Sequence, residues 1–156
     1  MREKVDNILK VLCVFFLGVL VLDVLWQVFS RYVLANPSSF TDELAGFLLI
    51  WVGLLGAAYV AGRNEHLAID LLVQKSGPER KRKLLLMIHV LIGLFALIVL
   101  LIGGSWLVYT RFLLNVKSAA LSIPLGYVYF VLPLSGLLIL YYSIDNTLLT
   151  LRNKDI

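Results

Sequence analysis

The chain is poor in several kinds of residue, and each scarcity excludes something. It has one cysteine, Cys13, two histidines and four prolines in 156 residues, and only 15% of its residues are charged. A lone cysteine forms no intrachain disulfide and supplies no two-thiol redox chemistry. Cysteine and histidine show no zinc-ligand spacing, and there is no glycine-rich phosphate loop or serine elbow to argue for an enzyme. Soluble domains carry about a quarter charged residues, so this composition does not describe a water-soluble globule.

What is present in excess is apolar sequence: 60% of the residues are hydrophobic and the mean hydropathy is +0.91. The excess lies in four runs, 11–30 broken only by Asp23, then 44–61, 84–110 and 119–144. A helix rising ~1.5 Å per residue needs roughly 20 apolar residues to cross about 30 Å of hydrocarbon, so each run is long enough to span. The runs are continuous and lack the two-residue alternation of membrane barrel strands. The expected fold is therefore an all-α integral membrane protein forming one domain over 1–156. Its four transmembrane helices are expected at about 11–30, 44–61, 84–110 and 123–147, with an additional interfacial amphipathic helix at about 63–76.

All but three of the 14 basic residues lie before the first run, between the second and third, or after the fourth. The exceptions are Arg31, Arg111 and Lys117. By the positive-inside rule both termini and the middle loop are cytoplasmic. The net charge of +4 then reflects topology, and no basic groove calls for nucleic acid. Residues 1–22 also have the charged and apolar regions of a secretory signal, with Val33-Leu34-Ala35 where cleavage would fall. Asp23, Trp26, Gln27 and Arg31 lie where a signal is apolar or small, so the first helix is expected to be retained.

The connections carry their own signals. Pro37 and the adjoining serines mark a turn, and Thr41 or Asp42 can cap the second helix. Between 63 and 76, Arg63, His66, Asp70 and Gln74 share one helical face while Leu67, Leu71 and Leu72 share another, the pattern of a helix lying on the membrane surface. Gly77-Pro78 ends it, and Arg80, Lys81, Arg82 and Lys83 form a basic interfacial anchor.

Polar and small residues inside the runs are the candidate functional positions. Asp23, Gln27 and Arg31 form a stripe at four-residue spacing, with Ser30 adjoining, and an ionisable group at that depth normally faces protein or a water-filled cavity. It reads either as an ion relay or as a structural pair in which Asp23, Asp42 or Glu43 neutralises Arg31. Gly53, Ala57 and Ala61, beside Gly56 and Ala58, give the second span a small-residue face for close helix packing, internal or with a partner. Trp51 and Tyr59 are placed as interface anchors. Pro124 suits a helix start, and Pro133 should kink the helix at the carbonyl of Tyr129. Gly103-Gly104 fits a bend or a packing notch. His66 and His89 invite a haem reading, but His66 and Asp70 at helical spacing look more like a hydrogen-bonded pair, and His89 can be satisfied against a neighbouring helix.

The ordered set Arg31-Tyr32, Asp42-Glu43-Leu44, Trp51 with Leu55-Gly56-Ala57-Ala58, His66, Asp70, and Ser122-Ile123-Pro124 with Pro133 resembles the DctQ-like small membrane subunit of tripartite ATP-independent periplasmic (TRAP) transporters. The resemblance covers essentially the whole chain. It implies a multi-pass protein of the bacterial inner membrane that is not an enzyme and binds no cofactor of its own. The implied partners are a large multi-span TRAP membrane subunit, a periplasmic substrate-binding protein and the phospholipid bilayer. In such systems the large subunit moves an organic acid of dicarboxylate, keto acid or sialic acid type inward with sodium, and the small subunit acts as a scaffold. The resemblance assigns Arg31, Asp42, Glu43, His66 and Asp70 structural or subunit-contact roles, and leaves Asp23 open. Two other classes stay in view: a self-sufficient proton-coupled exporter using Asp23, and a haem-bearing membrane anchor using His66 and His89.

Overall fold

A computed structural model of the chain describes residues 2–36, 38–63 and 78–152. Helix α1 runs Arg2–Tyr32 and α2 runs Ser39–Arg63. The third span begins as α3, Pro78–Phe95, continues through a π-helical stretch, Ala96–Gly103, and ends as α4, Gly104–Leu113. After a loop come the short α5, Leu125–Tyr129, and α6, Val131–Arg152. Among the described residues, four helical units are long and apolar enough to cross a membrane: Arg2–Tyr32, Ser39–Arg63, Arg80–Leu113 and Leu125–Arg152. The expected surface helix, with His66 and Asp70, lies almost wholly outside the described residues.

Several helices outrun their apolar blocks. The first begins at Arg2 rather than near residue 11, because its polar start is engaged: Arg2 pairs with Asp145 at 2.6 Å and Leu9 is buried. The last runs on to Arg152, and Arg82 Nη2 donates to the Leu151 carbonyl at 3.2 Å. Arg82, one of the four residues expected to anchor at the interface, thus ties the start of the third span to the end of the fourth.

Where Pro133 predicts a kink, the helix is interrupted. Proline offers no N–H to the carbonyl of residue 129 and its ring crowds that turn; α5 ends at Tyr129 and α6 resumes at Val131, with Leu134 N reaching the Phe130 carbonyl at 3.4 Å. Pro124 takes φ −59° and ψ 121° immediately ahead of α5, a fixed extended lead into the first turn.

The helices meet in an open series rather than a closed ring: α1 packs on α2, α2 on α6, and α6 on the third span. Lipid tails are as apolar as leucine, so such seams depend on close packing. The tightest is between the third span and α6. A Cβ added to Gly93 would lie 2.8 Å from Ser143 Oγ, one on Gly136 would lie 2.9 Å from Leu100 Cβ, and one on Gly104 would lie 2.8 Å from Leu132 Cβ. These three pairs share one antiparallel register. Gly104 is therefore a packing notch, whereas Gly103 would meet only the Ile98 carbonyl, at 3.6 Å. Between α2 and α6, Tyr142 is fully buried over Gly62, where a Cβ would come within 2.8 Å of the ring.

Candidate functional site

Apart from Asp23, the described charged side chains gather at the two ends of the helices. At the end carrying the α1–α2 turn, the chain between α4 and α5 folds back on itself: Ser118 N donates to the Ile123 carbonyl at 2.9 Å and Leu125 N to the Val116 carbonyl at 2.9 Å. Asn115 and Ser122 take left-handed backbone, φ 49° and 55°, which allows the reversals. The hairpin presents three successive backbone N–H groups to one carboxylate. Glu43 accepts from Ala119 N at 3.0 Å, Ala120 N at 2.8 Å and Leu121 N at 2.9 Å. Such a run of amides is an anion-holding nest, and here its anion is a side chain from the first turns of α2. The sequence pattern singled out Glu43 but not its partners; the signal was Ser122-Ile123-Pro124, whose role is to shape the loop that receives it.

Beside this latch, Arg31 Nη2 lies 3.6 Å from Asp42 Oδ1, both half exposed, and Gln27 Nε2 donates to Asp42. Gln27 and Arg31 thus meet the same α2 carboxylate. Asp23, the third member of that stripe, is buried one turn deeper, and its Oδ2 has no hydrogen-bond partner among the described residues. Arg111 lies over the Tyr129 ring, its guanidinium carbon 5.8 Å from the centroid.

A second cluster, which sequence reasoning missed, closes the opposite end. Arg2 bridges to Asp145, hydrogen-bonds Asn146 Oδ1 at 3.0 Å and donates to the Gly62 carbonyl. Asn146 Nδ2 donates to the Ala61 carbonyl at 3.1 Å, and the Tyr142 hydroxyl donates to Asp6. This joins α1, the last turn of α2 and α6. Terminal charges read as topology signals in a membrane sequence, which hid Arg2; the readable clue was Asp145-Asn146, a polar pair near the end of the last apolar run, of which Asn146 is buried and Asp145 half-buried.

The remaining positions are spread out. On α2, Ala61 is buried in a cluster with Ala58, Ala96, Leu100 and Ile139. Gly53 and Ala57 are exposed, and added Cβ atoms on Gly53 or Gly56 would meet nothing within 4 Å. The small-residue face is therefore internal at one end and open along the rest. Trp51 is not an interface anchor: its Nε1–H donates to the Val128 carbonyl at 3.1 Å and its ring lies 5.3 Å from Phe16. His89 is buried on α3, where Ser143 donates to its carbonyl. Among the described residues, no three histidine, cysteine or acidic side chains gather as a metal site. Fixed ion pairs and carboxylate–amide bonds of this kind hold helices in place.

These features define a class: a small, all-helical, polytopic membrane protein locked at both ends by polar side chains. Within that class the chain belongs to the DctQ component family of tripartite ATP-independent periplasmic transporters, whose family profile matches residues 20–153. It is accordingly a transporter permease component and a multi-pass protein of the bacterial inner membrane. Its relatives include a Haemophilus influenzae protein described as a TRAP transporter small permease protein, 28% identical over 86% of this chain and 82% of that protein. A sialic acid TRAP transporter small permease protein of Vibrio cholerae is 32% identical over 64% of this chain and 59% of its own length. A C4-dicarboxylate TRAP transporter small permease protein from the same organism is 33% identical over 65% of this chain and 43% of its own. In addition, 57 residues are 39% identical to a segment making up 9% of the Haemophilus influenzae sialic acid TRAP transporter permease protein.

Proposed function

We propose that the chain is the small membrane subunit of a sodium-coupled, binding-protein-dependent TRAP transporter for organic acids of dicarboxylate, keto acid or sialic acid type. It braces a large transport subunit and holds no substrate itself. Both termini and the loop between α2 and α3 face the cytoplasm, and the Glu43 latch faces the periplasm, where the substrate-binding protein docks. The sodium and the substrate belong to the large subunit.

The observation that carries this reading is where the polar side chains are used. Gln27, Arg31, Asp42 and Glu43 at one end, and Arg2, Asp6, Asp145 and Asn146 at the other, are engaged with neighbouring helices or loops of the same chain. Between those ends, α1 and the third span carry rows of exposed apolar side chains, among them Val14, Phe15, Leu22, Val90, Leu94 and Ile98. Such a surface suits lipid and the flank of a larger membrane protein. The match to part of a permease chain supports the same partner, because there a similar segment is continuous with the permease. In an elevator-type mechanism the moving part must work against something fixed in the bilayer, and an end-locked unit enlarges that fixed part.

A self-sufficient exporter would instead carry its proton on Asp23 and work alone, as a homo-oligomer. The test is affinity purification of the tagged chain from native membranes in mild detergent, followed by intact-mass analysis. A stoichiometric, much larger multi-span partner is the expected result. Recovery only as a homo-oligomer would overturn the reading.

A further inference from the structure

A polar cavity of about 340 Å³ opens between the start of α1 and the end of α2, lined by Glu3, Asp6, Asn7, Lys10, Tyr59 and Arg63. Its wall holds two anions and two cations within a few helical turns. We propose that it is a binding site for a zwitterionic phospholipid headgroup, an ammonium joined to a phosphate as in phosphatidylethanolamine, with Lys10 and Arg63 on the phosphate and Glu3 and Asp6 on the ammonium.

Depth is the first argument. On α1, Lys10 and Arg31 bracket the apolar run, and on α2, Glu43 and Arg63 do the same. At ~1.5 Å per residue each interval spans roughly 30 Å, the thickness of the hydrocarbon core. Lys10 and Arg63 therefore stand at the same hydrocarbon boundary. The residues from Glu3 to Lys10 then extend about 10 Å outward, comparable with one headgroup layer of roughly 5–8 Å.

The adjoining surface is the second argument. Immediately deeper on the same face of α1, Val14 and Leu17 are exposed, a wall for acyl chains beside a charged pocket. A soluble zwitterion would have no use for that wall.

Charge is the third. The lining is balanced, so an anionic headgroup gains from the two cations but is opposed by the two acids. A primary ammonium can donate hydrogen bonds to Glu3 and Asp6, which a quaternary choline cannot. Asp6 is held in place by the Tyr142 hydroxyl, and the Arg63 guanidinium carbon lies 5.2 Å from the Tyr59 ring centroid. Both sides of the site are thereby positioned before any ligand arrives.

The test is native mass spectrometry of the full chain, titrated with phosphatidylethanolamine, phosphatidylcholine and phosphatidylglycerol of matched acyl chains. The expected result is phosphatidylethanolamine retained about fivefold more tightly than the other two, the ratio that one partly exposed ion pair supplies. Glu3 is exposed on the first turn of α1, so Glu3→Lys leaves the core intact and should turn the preference toward phosphatidylglycerol. Arg63→Gln should lower retention of all three. Glu79→Lys makes the same charge change at the start of α3 and should leave the preference as it was. Equal retention of the three lipids, no lipid retained, or the same reversal in Glu79→Lys would overturn the proposal. So would glycerophosphoethanolamine, which has no acyl chains, competing as well as the lipid at equal concentration, because the site would then take a soluble zwitterion.

Discussion

Replacing Gly136 by alanine and Gly53 by alanine makes the same chemical change in two spans, and the structure gives the two substitutions opposite consequences. Both gain helix propensity, about 1 kcal/mol from glycine to alanine, and both add one methyl group. At Gly53 the new Cβ meets nothing within 4 Å, so the expected outcome in the isolated chain is no loss of stability. At Gly136 it would lie 2.9 Å from Leu100 Cβ, 3.0 Å from the Leu101 nitrogen and 3.1 Å from the Leu100 carbonyl carbon. Two of those atoms are backbone and no rotamer change relieves them, so the seam between α6 and the third span must open. Overpacking of this kind costs about 1–3 kcal/mol. Because the propensity term is common to both, the difference between the variants isolates that cost, about 5- to 150-fold in the unfolding equilibrium. Unfolding by titration with a denaturing detergent in mixed micelles, followed by far-ultraviolet circular dichroism, reads it directly. Equal midpoints for the two variants would refute the glycine-notch account of this seam.

Other perturbations separate the polar contacts. Glu43→Ala should speed hydrogen exchange at the amides of 119–121 and lower both complex yield and transport; Glu43→Gln should recover little, since an amide presents one acceptor oxygen where the carboxylate presents two. Arg31→Ala, at a pair that is half exposed on both sides, should change the stability of the chain by no more than about 1 kcal/mol, so a large fall in complex recovery would locate its role at the subunit boundary. Asp23→Asn should leave the assembled complex and its transport largely intact, as measured by co-purification and uptake in vesicles; transport lost from an intact complex would restore the relay reading. Tyr142→Phe removes only the hydroxyl that donates to Asp6 and should destabilise the chain by about 1 kcal/mol in the same detergent titration.

The spans were legible because hydrocarbon thickness imposes a length that composition alone reveals, and Pro133 announced a distortion because the carbonyl four residues before it loses its N–H partner. The seams were less legible. The obvious small-residue face, Gly53-Gly56-Ala57, is largely open, whereas of the glycines that admit a neighbouring helix, Gly93 and Gly136 stand alone in the sequence and Gly104 offered a packing notch only as one of two readings. Which glycine is used depends on what stands opposite, a three-dimensional fact. Trp51 went astray for a related reason: composition rules place tryptophan at the headgroups, but its N–H finds the Val128 carbonyl across a seam. At the candidate site the acid was readable and the acceptor was not. Glu43 stood out as a charge, while the amides that hold it belong to alanines and a leucine with no side-chain signal.

The open order of the helices sets how much membrane the chain occupies. With α1 beside α2, α2 beside α6 and α6 beside the third span, neighbouring axes stand roughly 8–10 Å apart, and four helices of about 10 Å diameter laid out in series reach at most about 35–40 Å from one edge to the other, less where the row is staggered. A closed bundle of the same four helices would be about half as wide. For the same length of polypeptide, the series presents a longer perimeter to its surroundings, so an assembly that gains this chain along one side grows mainly in breadth and gains little enclosed volume.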